Sequence, residues 1–372
     1  MNQLVYFILS DTTMKSKLLL ILFSSFYLPI YAEDNKSNIT SQKYIEELKK
    51  EYSKPIKFWS KPTLDENVTF VEMQSIQKIK SNLNPLLIKL GNRLFHEPRL
   101  SLSENVACIS CHVPSKAFTD GLKHSEGHNG LTGTRNAPTV IGLSNGELFW
   151  DGRAKNYEEQ ALGPIANPVE MAMPIDTLEK KLPTMEGYAS DVQKIYGDSN
   201  LTVQRVSEAL ATFQKSLTHP RTRFDDFLDG NTTALNNREI FGLDIFRNKG
   251  RCMNCHNGEN FSDGQFHNLG MTYFGRDFED LGRYLVTKKN EDVGKFKTPT
   301  LRQISKTAPY MHNGFFKDLK SVLNMYNNGM FHPKPNEKQK NDPKFPVTSK
   351  HLKKLNLTKD EQNALEAFLK IL

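Results

Sequence analysis

The sequence predicts a mainly α-helical, loop-rich protein made of two similar units, with little strand. Three observations lead there. Apolar residues recur at three- and four-residue spacing in several stretches, for example Val203, Val206, Leu210, Phe213 and Leu217, which is the stripe of a helix with one buried face. No strand-rich region appears beside them. One pattern also occurs twice: Leu94, Phe95, Cys108, Cys111, His112, Phe118, Thr119, Asp120 and Gly121 are echoed by Ile245, Phe246, Cys252, Cys255, His256, Phe261, Ser262, Asp263 and Gly264.

At the N-terminus, Lys15 and Lys17 precede an apolar run from Leu18 to Ala32, and the charged Glu33 and Asp34 follow. A basic region, an apolar stretch and a small boundary residue read as a secretory signal peptide over residues 1–32, cleaved after Ala32. Met14 is the alternative start, and an uncleaved anchor is the alternative fate. Nothing after residue 40 approaches the roughly 20 apolar residues of a membrane-crossing helix. A soluble, exported protein of the periplasm is therefore expected.

Residues 33–80 are polar and Lys-rich, with a short helix expected at Tyr44–Tyr52 and proline exits at Pro55 and Pro62. A first domain is expected over residues 81–232. Leu83, Leu86, Leu87, Leu90, Leu94 and Phe95 give its opening helix, interrupted at Gly91 and ended by Pro98. From Cys108 to Gly163, Gly, Pro, Asn and Ser abound without periodicity, which predicts long loops organised by something other than secondary structure. Helices are expected again at Leu178–Leu182, Tyr188–Tyr196 and Val203–Leu217, followed by a polar link from Arg221 to Thr233. The second domain, residues 233–372, should hold helices at Asn236–Asn248 and Leu319–Asn327, then a Lys- and Pro-rich segment from Pro333 to Lys350. Its last helix opens on Thr358 with Glu361 three residues on, a capping box.

The chain has 372 residues, 49 Lys+Arg against 42 Asp+Glu for a formal charge of +7, and 38% hydrophobic residues. These values exclude a disordered, collagen-like or polytopic membrane class. A basic chain can bind nucleic acid, but export argues against that, so no nucleic acid is expected. The charge reads as a solvated face, with docking to an acidic protein as the alternative. Four cysteines are too few for a disulfide scaffold.

All four cysteines lie in Cys108-Ile-Ser-Cys111-His112 and Cys252-Met-Asn-Cys255-His256. In C-x-x-C-H the two sulfurs add to the haem vinyl groups and the adjacent His becomes the proximal iron ligand. A zinc site would not need a His directly after both pairs, and a thioredoxin-like pair would need a βαβ context. Two covalent c-type haems in two cytochrome c-like domains packed around a shared interface follow, and they supply the organiser that the long loops require. The sixth iron position separates an electron carrier from a catalyst. His124, His128, His267, His312, Tyr326 and several Met are candidates, and spacing does not choose among them.

Several longer phrases carry a resemblance: Leu90 to Ser101 (LGNRLFHEPRLS), Arg135 to Thr139 (RNAPT), Phe149 to Arg153 (FWDGR), Glu158 to Met171 (EEQALGPIANPVEM) and Thr298 to Asn313 (TPTLRQISKTAPYMHN). From about residue 85 to its end the chain resembles the bacterial di-haem cytochrome c peroxidase and MauG family. The resemblance implies that His112 serves the peroxidatic haem and His256 the electron-transferring haem. It implies that Trp150 lies between them, and that Gln160 and Glu170 form the distal pocket, where a carboxylate can move a proton between the two peroxide oxygens. It also implies a calcium ion held by the Asn136 side chain and the backbone carbonyls of Thr307 and Pro309, an all-oxygen set suited to a hard cation.

Two positions divide the subfamilies. His128, in the Gly-rich loop SEGHNGLTG, matches the His that closes the peroxidatic haem in the resting state of peroxidases needing reductive activation. Tyr326 falls where peroxidases carry the Met ligand of the second haem and MauG carries Tyr; Met325 is adjacent, while Met311 and His312 rank below. The surface Trp of MauG, six residues before the second haem His, is Gly250 here. The resemblance therefore implies a peroxidase reducing hydrogen peroxide with electrons from a small donor such as cytochrome c. A MauG-like oxidation of a partner protein and a pure electron-transfer di-haem cytochrome are the alternatives, and a homodimer is the family analogy.

Overall fold

The computed structural model describes residues 31–77, 82–143 and 146–372; the segment read as a signal peptide lies, up to residue 30, outside the described residues. The fold is mainly helical with little strand, as expected. Helix α1 covers Tyr31–Tyr52. Helix α2, Pro85–Phe95, opens where Asn84 accepts a hydrogen bond from the Leu86 amide and Pro85 fills the first helical position. A single turn, α3, holds Cys108–Cys111. Helix α4, Tyr157–Ala166, is capped by Asn156, and α5 spans Ile175–Lys181. Helix α6, Ala189–Tyr196, stops at Gly197 in the left-handed region, φ 85°. Helix α7, Val203–Ser216, is capped by Thr202, and α8 is Arg223–Leu228. Helix α9, Asn237–Arg247, starts with an Asn236/Glu239 capping box. After the short α10, Tyr284–Thr287, helix α11 runs over Leu319–Asn327 from an Asp318 cap. The expected Thr358/Glu361 box opens α12, Lys359–Leu369. The only named ladder among the described residues pairs β1, Phe266–Asn268, antiparallel with β2, Lys295–Lys297, placing His267 opposite Phe296.

Three local expectations are corrected. Gly91 does not interrupt α2; it lies inside it. The stretch Arg221–Thr233 is not a bare link, because α8 buries Phe224, Asp225 and Phe227. The Cys108–Gly163 region is not all loop, since it contains α3 and most of α4.

Residues 45–372 form one compact unit with two large apolar cores. In the first, α2 crosses α7 so closely that a Cβ on Gly91 would stand 1.9 Å from the Ala209 carbonyl oxygen and 2.7 Å from Phe213 Cβ. The second repeats the device: a Cβ on Gly242 of α9 would stand 2.0 Å from the Ala364 carbonyl oxygen and 2.7 Å from Phe368 Cβ, on α12. The duplication thus includes a helix crossing that only glycine admits. Leu90, Leu94, Val206 and Leu210 fill the first core. Leu243, Phe246, Leu365 and Phe368 fill the second.

An arm from residue 45 to 77 belongs to the second core. Despite its polar composition it buries Leu48, Tyr52, Trp59 and Met73 there. Polar ties fix it: Tyr52 Oη donates to Asp244 at 2.9 Å, and the fully buried Arg247 pairs with Glu72 at 2.6 Å. Arg302 and Asp225, 2.8 Å apart and both wholly buried, pin α8 to the loop before α11. Such a pair is costly to break because the survivor is left as an unpaired buried charge.

Candidate functional site

Both Cys-x-x-Cys-His segments are shaped by short local structure. In the first, α3 presents Cys108 and Cys111 and ends at His112, whose Nδ1 lies 2.9 Å from the Phe118 carbonyl oxygen. Ala117 and Phe118 adopt positive φ (51° and 58°) and so turn that carbonyl back toward the ring. In the second, a 3-10 turn carries Cys252–Asn254, and His256 Nδ1 lies 2.8 Å from the carbonyl oxygen of Phe261, again at positive φ (52°). A backbone carbonyl on Nδ1 makes that nitrogen the donor and leaves Nε2 as a lone-pair ligand. Burial pushes both imidazoles toward the neutral form that binds iron. No disulfide joins any of the four cysteines.

The two segments open onto one cavity of about 570 Å³, lined by both Cys pairs, both histidines, Trp150, Gln160, Glu170 and Tyr326. Two sulfurs beside a pre-oriented imidazole, twice over, are the donor set of two c-type haems, and the residues present fit them. One cluster among the described residues has metal-ligand spacing instead: Cys255, Asp263 and His267, with ligand atoms within 4.8 Å. A thioether at Cys255 takes its sulfur and leaves an ordinary His267–Asp263 pair, 2.8 Å apart.

Helix α4 and the turn after it bring Gln160 and Glu170 to this cavity. The Glu170 amide donates to the Asn167 carbonyl at 3.0 Å and Met173 to Ile165 at 2.8 Å, hanging the Asn-Pro-Val-Glu-Met turn from the helix end. Gln160 is buried and its Oε1 has no hydrogen-bond partner. Glu170 accepts from Asn167 Nδ2 at 2.8 Å. Burial raises its pKa above the usual carboxylate value, against the pull of Arg153 and the Asn167 bond. A carboxyl shifted in this direction holds its proton more readily than an exposed one, as a group that both takes and returns a proton needs to.

Trp150 is tied to both halves of the cavity. Its Nε1 donates to the Asn136 carbonyl at 2.9 Å, and its own carbonyl accepts from the Lys297 amide at 2.8 Å. Asn136 in turn donates its amide to the His312 carbonyl at 2.7 Å and its Nδ2 to the Leu122 carbonyl at 2.8 Å, which keeps Oδ1 as an acceptor. Thr307 and Pro309 line the same cavity.

Tyr326, near the end of α11, lines the cavity, whereas Met325 does not; Met311 and His312 also reach it. His312 is stacked on Phe296 at 3.6 Å. His128 does not line the cavity: its Nε2 lies 2.9 Å from Asn129 Nδ2, while its amide donates to the Glu170 carbonyl at 2.7 Å. The loop is held there by close packing, since a Cβ on Gly127 would meet the Val169 oxygen at 2.2 Å.

Sequence reasoning missed the network behind the distal side. Arg135 pairs with Asp151 and Asp280, both at 2.7 Å, and Asp151 also holds Arg153 at 3.0 Å. It also missed the job of Phe118 and Phe261, although their place in the repeat was the available signal.

A family model described as di-haem cytochrome c peroxidase matches residues 85–233. Over 248 residues the chain is 40% identical to the cytochrome c551 peroxidase of Nitrosomonas europaea, covering 65% of this chain and 73% of that protein. The chain belongs to the di-haem cytochrome c peroxidase and MauG family. It is also 34% identical over 308 residues to the methylamine utilization protein MauG of Methylorubrum extorquens, 82% of this chain and 83% of that one. Among solved structures, a MauG-like protein associated with microbial copper homeostasis superposes with a TM-score of 0.68 at 26% identity, covering 83% of this chain and 95% of that chain. Membership of this family brings two haem c groups to the two Cys-x-x-Cys-His segments. No helix among the described residues is long and apolar enough to cross a membrane.

Proposed function

We propose that the protein is a periplasmic peroxidase that reduces hydrogen peroxide to two waters, consuming two protons and two electrons from a small donor protein such as a cytochrome c. The observation that carries this reading is the Gln160–Glu170 pair on the cavity that His112 lines: an unpaired buried amide oxygen and a carboxyl of raised pKa. The haems, when bound, supply the iron chemistry that takes up peroxide and stores electrons. Glu170 takes the proton from one peroxide oxygen and returns it to the leaving one. Gln160 orients the oxygens by hydrogen bonding, and Asn167 keeps the carboxylate aimed. Trp150, locked by Asn136 and Lys297, offers an indole between the two sites for electron passage. Asn136 with the carbonyls of Thr307 and Pro309 is assigned to a calcium ion.

Tyr326 lining the second site favours, as second reading, a MauG-like oxidation of a partner protein. Against it stands Gly250, where a side chain would begin 2.6 Å from the Ile245 carbonyl oxygen, so the MauG tryptophan has no place. The test is oxidation of a reduced donor, either cytochrome c or the small neutral hydroquinone, on adding peroxide, before and after partial reduction of the enzyme. Absence of turnover in both states refutes the peroxidase, and full activity without prior reduction refutes a switching role for His128.

A further inference from the structure

The segment Pro333–Lys354 closes the cavity beside the second haem site. Ser349, His351, Leu352 and Lys353 line the cavity. The His351 ring lies 5.8 Å from that of His267, which is itself within 4.8 Å of Cys255 Sγ. An electron reaching this site from outside thus has a short path through this segment.

The same segment carries most of the protein's excess charge. It holds seven lysines against Glu337 and Asp342, a net +5 where the whole chain has +7. All seven lysines are exposed. Glu337 is spent on Lys340 at 2.6 Å, and Lys353 is paired with Asp65 at 3.1 Å. Lys334, Lys338, Lys350 and Lys354 have no carboxylate partner among the described residues. Amid them stands Val347, 82% exposed. A solvated loop needs neither an apolar tip nor unopposed like charges, which repel one another. Charges that steer an encounter around a small apolar contact suit a partner that must arrive fast and leave fast.

We propose that Pro333–Lys354 is the docking surface for the electron donor, and that this donor is a small redox protein with an acidic face around its own redox centre. This rests on the peroxidase reading and adds the donor's charge. Each docked donor is oxidised by one electron, which passes to the second haem, and two dockings serve one peroxide.

The test uses the holoprotein and a variant carrying Lys338→Glu, Lys350→Glu and Lys354→Glu, none of which lines the cavity. The probes are reduced plant plastocyanin, an acidic blue-copper protein, and mitochondrial cytochrome c, a basic one. Binding is measured by calorimetry, and turnover with each probe and with hydroquinone, a small neutral donor. At about 0.01 M salt plastocyanin should bind more tightly than cytochrome c, and its affinity should fall at least about tenfold at about 0.15 M, where screening shortens from about 30 to about 8 Å. The triple variant should lose a similar factor for plastocyanin and keep hydroquinone turnover. Tighter binding of cytochrome c, no binding of plastocyanin, or unchanged plastocyanin affinity in the variant overturns the proposal. Loss of turnover with all three donors, with the binding pattern intact, refutes the peroxidase reading instead.

Discussion

Gly91→Ala separates two physical expectations that differ in sign. Helix propensity alone says that alanine inside α2 should stabilise the protein by about 1 kcal/mol. Packing says the opposite. The new Cβ would lie 1.9 Å from a backbone oxygen of α7, and an ordinary van der Waals contact starts at about 3.4 Å. The helices would have to part by about 1.5 Å, and no side-chain rotation can relieve a clash with backbone. Overpacking of this kind costs about 1–3 kcal/mol, and more where the backbone itself must move. We therefore expect a net loss of about 2 kcal/mol or more in chemical denaturation. The damage should be local: α2 carries Phe95, whose ring lies 6.3 Å from that of His112 and 5.2 Å from that of Phe213. Soret circular dichroism should change at the first haem and not the second, with Gly242→Ala giving the converse. A Gly91→Ala protein as stable as the parent, or more so, would refute the close crossing.

Glu170→Gln should keep both covalent haems but lower peroxide turnover by about 10²–10⁴, the usual yield of a positioned acid–base group. Because burial raises the Glu170 pKa, the acid limb of kcat/KM should fall above the usual carboxylate range; Asn167→Ala, which removes a bond favouring the charged form, should move that limb higher still. Tyr326→Phe should change the spectrum and potential of the oxidised second haem, and Tyr326→Met should raise the potential; an unaltered spectrum and potential in Tyr326→Phe would end the ligand assignment. Glu97 is held down to about 2 by Arg99, against burial and with help from Tyr188. A depressed carboxyl contributes stability above its unfolded value of about 4.5, lost as pH falls toward 2, so Glu97→Gln should flatten acid unfolding in that window.

What could be read from the residues alone was what depends on near neighbours. The Cys-x-x-Cys-His chemistry is complete within five residues, and α9, α11 and α12 announce themselves through Asn236, Asp318 and Thr358. Helix α4 hid behind its glycine and proline, although Asn156 three residues before Glu159 marked its start. Helix α8 looked like a polar link because the partner that makes Asp225 buriable, Arg302, is 77 residues away. Gly91 looked like a breaker because the surface it must clear belongs to another helix. The ring position of His128 depends on how its loop packs against Glu170, which no local pattern encodes.

The arm of residues 45–77 has a consequence in time. Its apolar side chains share the second core with residues from α8 to α12; Trp59, for instance, packs 6.1 Å from Phe227, ring centre to ring centre. On a chain that emerges from its N-terminus, the part that appears first is among the last that can settle. Leu48, Tyr52, Trp59 and Met73 cannot be fully covered until the later elements of the second core exist, while the first core, closed by α2 and α7, can form well before. The lysines scattered along that arm keep it in solution during the wait.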